Sequence, residues 1–178
     1  MNHVTLYDLY SHPIAKKFIK RSGLDHAIST AESAFYFACK SQVHPELAVK
    51  AAFLHDIGHY TWYGEDGEWN FHSYKENDIH AIKGAERAHK LLIRLGEDRK
   101  SAKEIALAIL LHTDSYLPSG DLQLTPLQMV VSQADEANEE PDGLHHYRMI
   151  DEKEALQRIR GLDELVQQTS RAYEKQSS

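Results

Sequence analysis

Apolar residues recur along this chain at spacings of three and four, the signature of amphipathic helices, and no stretch alternates as a half-buried strand would. Tyr7 to Lys20 reads as a first helix with a break at Pro13, stopped by Ser22-Gly23. A second helix, with Asp25 as its cap and His26 in its first turn, aligns Ile28, Ala31, Phe35 and Ala38 on one face. Pro45 and Glu46 start a third, which Leu47, Ala48, Ala51, Ala52 and Leu54 make apolar nearly all round, so it is expected at the centre. It runs into His55-Asp56-Ile57-Gly58-His59, where Gly58 loosens the helix. The pattern fails from Tyr60 to Tyr74, read as a loop beside the site. Helices resume over Glu76 to Leu95, ending at Gly96, and over Asp98 to Thr113, before a break at Pro118 and Gly120. Thr125 as cap and Pro126 at the first position launch another through Val130, Val131 and Ala134 to Asp135, ended by Pro141 to Gly143. Arg148 to Lys175 is a charged amphipathic helix with a frayed Gln-Ser-Ser tail. The expected fold class is all-α: a single domain over residues 1–178, a bundle of about six to seven helices. Its core is expected over roughly 24–150, with the last helix and tail at 151–178.

The length of 178 residues fits one domain, and 42% hydrophobic with 26% charged residues is ordinary for a globular protein. The formal net charge is −7 and no lysine or arginine cluster forms a phosphate-backbone footprint, which argues against duplex nucleic acid as a partner. A small anionic substrate stays open, because bound cations reverse the local potential of an acidic protein. The single cysteine, Cys39, excludes an intramolecular disulfide and reads as a small buried residue. The N-terminus lacks a signal-type apolar region, and the longest apolar run, Leu47 to Leu54, is short and interrupted by Lys50. A cytoplasmic protein with no membrane association is expected.

Histidine is the outlier, with 12 copies, several inside apolar patterns where a polar ring needs a partner. His55 and Asp56 follow Ala51-Ala52-Phe53-Leu54, and a carboxylate at the end of a buried helix calls for a cation beside it. A metal ion meets that need, and imidazole with carboxylate suits iron, manganese, cobalt or zinc. An isolated His-Asp pair is more simply a satisfied structural pair. What shifts the reading is recurrence: His26, His80, His112 and Asp135 each fall on a different predicted helix beside an apolar stripe, the arrangement of a bundle-core metal site.

On these residues the sequence resembles the HD-domain superfamily of metal-dependent phosphohydrolases over roughly His26 to Arg148. The first family histidine matches His26 in His-Ala-Ile-Ser-Thr-Ala, and the signature pair matches His55 and Asp56 in Leu-His-Asp-Ile-Gly-His. His80 matches in His-Ala-Ile-Lys-Gly-Ala, His112 in Ile-Leu-Leu-His-Thr, and the closing Asp135 in Val-Ser-Gln-Ala-Asp. The extra histidines, His80 and His112, resemble those of the two-metal subgroup. The resemblance implies two divalent or mixed-valent transition-metal ions, iron foremost, with Asp56 bridging them. Such a pair activates a water and neutralises charge on a phosphoryl group.

His59 follows His55 at the one-turn spacing that shares a helix face. Family members place a lysine or histidine there, which implies a phosphate-facing or proton-donating role; the alternative is a supporting or surface histidine. Lys83 and Arg148 are further candidates to clamp phosphate, with solvated or structural charge as the plainer reading. The Glu140-Pro141 pair followed by Arg148 is similar to small bacterial HD hydrolases that split symmetrical diadenosine tetraphosphate, although the intervening residues differ. His3, His12, His44, His89, His145 and His146 read mostly as surface residues. Trp62, Trp69, His72 and Tyr74 could stack on a base or merely pack as a lid.

The leading expectation is hydrolysis of a small phosphorylated substrate, a nucleotide or related phosphoester. The His-Asp-Ile-Gly-His-Tyr run and the later His-x-x-x-Gly-Ala also look like a small phosphonate-degrading member, so a mixed-valent di-iron oxygenase is the rival. A non-catalytic HD ligand-binding module ranks last, since no metal ligand is missing. The charged C-terminal helix offers a surface for a homodimer, though a solvated face explains it more simply.

Overall fold

The computed structural model describes residues 3–60, 78–113 and 122–176, and they form an all-α bundle with no strand among them. In chain order the helices are α1 (Leu6–Ser11), α2 (Pro13–Ser22), α3 (Leu24–Ser41), α4 (Pro45–Leu54), α5 (His80–Leu95), α6 (Arg99–Leu110), α7 (Pro126–Glu136), a 3-10 segment (Pro141–Tyr147) and α8 (Glu152–Gln176). Most of the predicted loop from Tyr60 to Tyr74, with Trp62, Trp69 and His72, lies outside the described residues. So do the helix start at Glu76, the break at Pro118 and Gly120, and the last two residues of the tail.

Local chemistry sets the helix ends. Thr5 with Asp8, and Thr125 with Gln128, form reciprocal capping boxes, and Asp98 accepts from the Ser101 amide at the start of α6. The cap expected at Asp25 is not made: Gly23 precedes α3, and the Asp25 carboxylate accepts from the Arg158 guanidinium of α8 at 2.8 Å. That guanidinium also reaches Glu32 and Ser29, which fastens the last helix along α3. The last helix starts at Glu152 rather than Arg148, because Asp151 accepts from the Lys153 and Glu154 amides while Arg148 to Ile150 remain extended.

Helix α4 is the central element, packed on α3, α6, α7 and α8. Ala48, Ala51 and Ala52 on it, with Ala27, Ala31, Ala34 and Ala38 on α3, are buried small residues that let two helix backbones come close. Lys50 is buried too, and Glu46 and Glu97 both accept from its ammonium, tying α4 to the end of α5. Cys39, expected to be buried, is only partly so. None of the described helices is long and apolar enough to cross a membrane.

The turn after α4, residues 55–58, is clamped against α5. A Cβ on Gly58 would stand 1.9 Å from the His80 carbonyl oxygen and 2.3 Å from the Gly84 amide nitrogen, so only hydrogen fits between the two backbones. Arg87 of α5 also donates to the Ile57 carbonyl. Gly58→Ala is therefore expected to destabilise the protein by about 3 kcal/mol, the upper end for overpacking, because the obstacle is backbone. Chemical denaturation measures this, and an unchanged midpoint would refute the close contact.

Candidate metal centre

Four of the bundle's helices and the turn after α4 deliver side chains to one buried spot. His26 comes from the first turn of α3, His80 from the first residue of α5, and Asp135 from the last turn of α7. His112 follows the end of α6, and His55 and Asp56 occupy the turn that Gly58 presses onto α5. All six are buried.

The atoms fall into two groups that share Asp56. In the first, His26 Nε2 and His55 Nε2 are 3.2 Å apart, and each lies 3.1 Å from Asp135 Oδ1. Asp56 Oδ2 is 3.3 Å from His55 Nε2 and 3.7 Å from that of His26. In the second, His80 Nε2 and His112 Nε2 are 3.0 Å apart, with Asp56 Oδ1 at 3.6 and 3.9 Å from them. Neighbouring ligands of a six-coordinate ion with bonds of about 2.1 Å lie roughly 3.0 Å apart, and the closest separations in both groups, 3.0 to 3.3 Å, are near that value.

Proton positions make the same point. His55 Nδ1 lies 2.6 Å from the Ala52 carbonyl, His112 Nδ1 lies 2.6 Å from that of Ile109, and His80 Nδ1 lies 2.7 Å from the Asp78 carboxylate. Each Nδ1 is thereby a donor, which leaves Nε2 of a neutral ring with only a lone pair. In the second group, two lone pairs would face each other at 3.0 Å, an arrangement that calls for a cation between them. Burial disfavours charge on His55, yet Asp56 and Asp135 outweigh it and raise its pKa well above the ordinary range. Burial likewise opposes ionisation of Asp56 and Asp135, and the neighbouring imidazoles, His55 first, outweigh it and hold both well below the usual carboxylate range. His112 is pushed down to about 4 by burial and then by positive charge on His55. The cluster is thus a donor set short of positive charge, and its histidines and aspartates form groups that could hold metal.

Around this set the structure both uses and corrects the expectations. His59 reaches it, with Nε2 2.9 Å from Asp56 Oδ1 and its ring stacked on His80 at 4.3 Å. It arrives through the turn, not by helical periodicity, since α4 ends at Leu54. Lys83 does not join the cluster; its ammonium lies over the Tyr60 ring, 4.3 Å from the centroid. Arg148 faces a neighbouring cavity and pairs with Glu140. His145 and His146 are not surface residues. His145 is buried against His26, with ring centroids 4.3 Å apart, and His146 Nδ1 stands 3.7 Å from Asp56 Oδ2. Burial lowers the pKa of both, that of His146 to about 4. Asp78 also escaped the sequence reading, although an Asp-x-His spacing just before a helix was there to see. It binds both the amide and the ring of His80.

Comparison with known proteins agrees with this geometry. The HD domain family model matches residues 23–138, which carry all six buried residues. The chain belongs to the HD-domain family. It is 61% identical over 168 residues, covering 94% of this chain and 95% of the relative, to the Bacillus subtilis (strain 168) protein YueE, named provisionally as a phosphohydrolase. No solved structure matches the chain.

HD domains bind divalent metals, and here the Asp78 carboxylate fixes the tautomer of one candidate ligand and raises its basicity. Burial opposes charge on His80, but Asp78 and then Asp56 outweigh it and raise its pKa. Asp78→Asn is expected to weaken metal binding at the His80 and His112 group by about 10- to 100-fold. Equilibrium dialysis against manganese reads this directly; undiminished affinity and stoichiometry would remove Asp78 from the centre.

Proposed function

We propose that this HD-domain protein is a metal-dependent phosphohydrolase acting on a nucleotide or related phosphoester at a two-ion centre. The observation that carries the reading is the bidirectional Asp56 carboxylate, whose Oδ2 faces His26 and His55 while its Oδ1 faces His80 and His112. The provisional name of the B. subtilis relative supports the same activity. The mixed nitrogen and oxygen donor set suits iron, manganese, cobalt or zinc, and the resemblance to the two-metal subgroup puts iron foremost.

His26, His55, Asp135 and Asp56 Oδ2 would hold one ion; Asp56 Oδ1, His80 and His112 would hold the other. Such a pair supplies a water of lowered pKa and neutralises charge growing on the phosphoryl oxygens. The protein's remaining work is orientation. The Ala52 and Ile109 carbonyls and the Asp78 carboxylate keep three rings in the tautomer that presents Nε2 inward. His59, stacked on His80 and lining the adjoining cavity, is placed to hold a proton at Nε2 for a phosphoryl or leaving-group oxygen. Arg148 is in reach of the same cavity as a phosphate clamp, whereas Lys83 contributes through Tyr60 if at all.

Purified protein is expected to contain two transition-metal ions per chain by elemental analysis and to hydrolyse phosphoesters or nucleotides without oxygen. His55→Ala and Asp56→Ala should lower that rate by about 10²- to 10³-fold or more, the scale for removing a principal electrostatic element of a site. Chelation should abolish it. Turnover that depends strictly on oxygen would replace the hydrolase with the di-iron oxygenase reading. Metal-free protein whose activity survives both substitutions would end the metal reading altogether.

A further inference from the structure

Beside the cluster lies a cavity of about 540 Å³, walled by the end of α2 and the following turn on one side and by residues from His146 to Glu152 on the other. His59 and His146 stand in its lining, and both also approach Asp56, at 2.9 and 3.7 Å. The cavity is thus separated from the proposed ions by one layer of imidazoles, their centroids 4.8 Å apart. A third metal shared by Asp56, His59 and His146 is disfavoured, because both oxygens of Asp56 already face other imidazoles. The two rings therefore belong to the substrate side.

His146 is fixed in that place. Its Nδ1 donates to the Ser22 carbonyl at 2.6 Å. The backbone comes so close to Gly23 that a Cβ there would stand 3.0 Å from His146 Cα, and Gly23 has φ +108°, which side chains rarely adopt. A wall contributed by a distant part of the chain is thereby locked to the α2–α3 junction.

The charge of the lining runs against that of the protein. Within a chain of net charge −7, the described residues that line the cavity include Lys20, Arg21 and Arg148 and, among those described, one carboxylate, Glu152. Glu152 is oversubscribed, accepting from Lys16 at 2.5 Å, Lys20 at 2.8 Å and the Tyr10 hydroxyl at 3.1 Å. Arg148 pairs with Glu140, but its approach to Asp25 is loose, 3.9 Å, since Asp25 is already held by Arg158 at 2.8 Å. A concave surface with excess positive charge, next to a site for phosphoryl chemistry, concentrates anions.

We propose that this cavity is a subsite for a second anionic group of the substrate, held by Lys20, Arg21 and Arg148 while the reacting phosphoryl group lies at Asp56. The proposal rests on the phosphohydrolase reading and narrows it: the preferred substrates carry a second phosphate or comparable anion beyond the ester that is cleaved. Simple monoesters lack the group that the cavity takes.

Calorimetry on the manganese-loaded full chain tests this with adenosine 5′-phosphate and the hydrolysis-resistant α,β-methylene analogue of adenosine 5′-diphosphate. The diphosphonate is expected to bind at least about 10-fold more tightly, the size of one good charge-assisted contact. In the Lys20→Ala variant most of that advantage should be lost while binding of the monophosphate stays within about twofold, Lys20 being an exposed residue. Equal or absent binding of the two probes by the wild type, or an advantage that survives undiminished in the variant, overturns the subsite. The two readings fail separately: a chain that takes up no manganese ends the two-ion proposal, whereas one that takes up two ions yet ignores the second anion ends only this one.

Discussion

Two buried carboxylates without enough positive charge around them govern this molecule. Asp56 and Asp135 sit in the middle of an apolar bundle, where an unpaired carboxylate costs several kcal/mol. The elements around them answer that cost by bringing imidazoles within 2.9 to 3.9 Å of one or the other. The rest of the architecture follows: an alanine-lined pair of helices tight enough to set His26 against His55, and a glycine contact tight enough to set His80 against Asp56. The polar cluster is expensive as a structural device. Its retention in the core is understandable only if cations compensate it.

Much of this was legible in the residues themselves. Helical periodicity, proline and glycine punctuation and the Thr125 cap located the helices because those signals are local. The six residues of the cluster stood out because a charged or polar side chain on an apolar face demands a partner wherever it falls. Asp25 misled because its cap would be a local bond, whereas its actual partner, Arg158, comes from the other end of the chain. His59 reaches the cluster through the turn at Gly58, not by the continuing helix that its spacing from His55 suggested. His145 and His146 looked like surface residues because a short 3-10 segment has no periodicity to report which side is buried. Asp142, at φ 58°, and Gly143, at φ 70°, bend that segment inward, and neither angle is readable from composition.

The family match and the proposed division of labour coincide in an informative way. Residues 23–138 contain the whole cluster, while most of the cavity's positive charge lies outside them, on α2 before the match and at Arg148 after it. His146 donates to the Ser22 carbonyl across 124 positions of sequence, and Glu152 accepts from Lys16 and Lys20, so these two outer stretches are bonded to each other.

The ring-to-carbonyl bond, with the Glu152 contacts beside it, makes the flanks of the chain a matched set. A change in the tail that shifts His146 alters the pocket only by parting from Ser22, and a change near Ser22 is felt at the tail. Under the proposed subsite, inheritance would redraw what the enzyme accepts by exchanging the two flanks together, leaving the stretch between them untouched, whereas a graft of either flank alone would arrive without its counterpart.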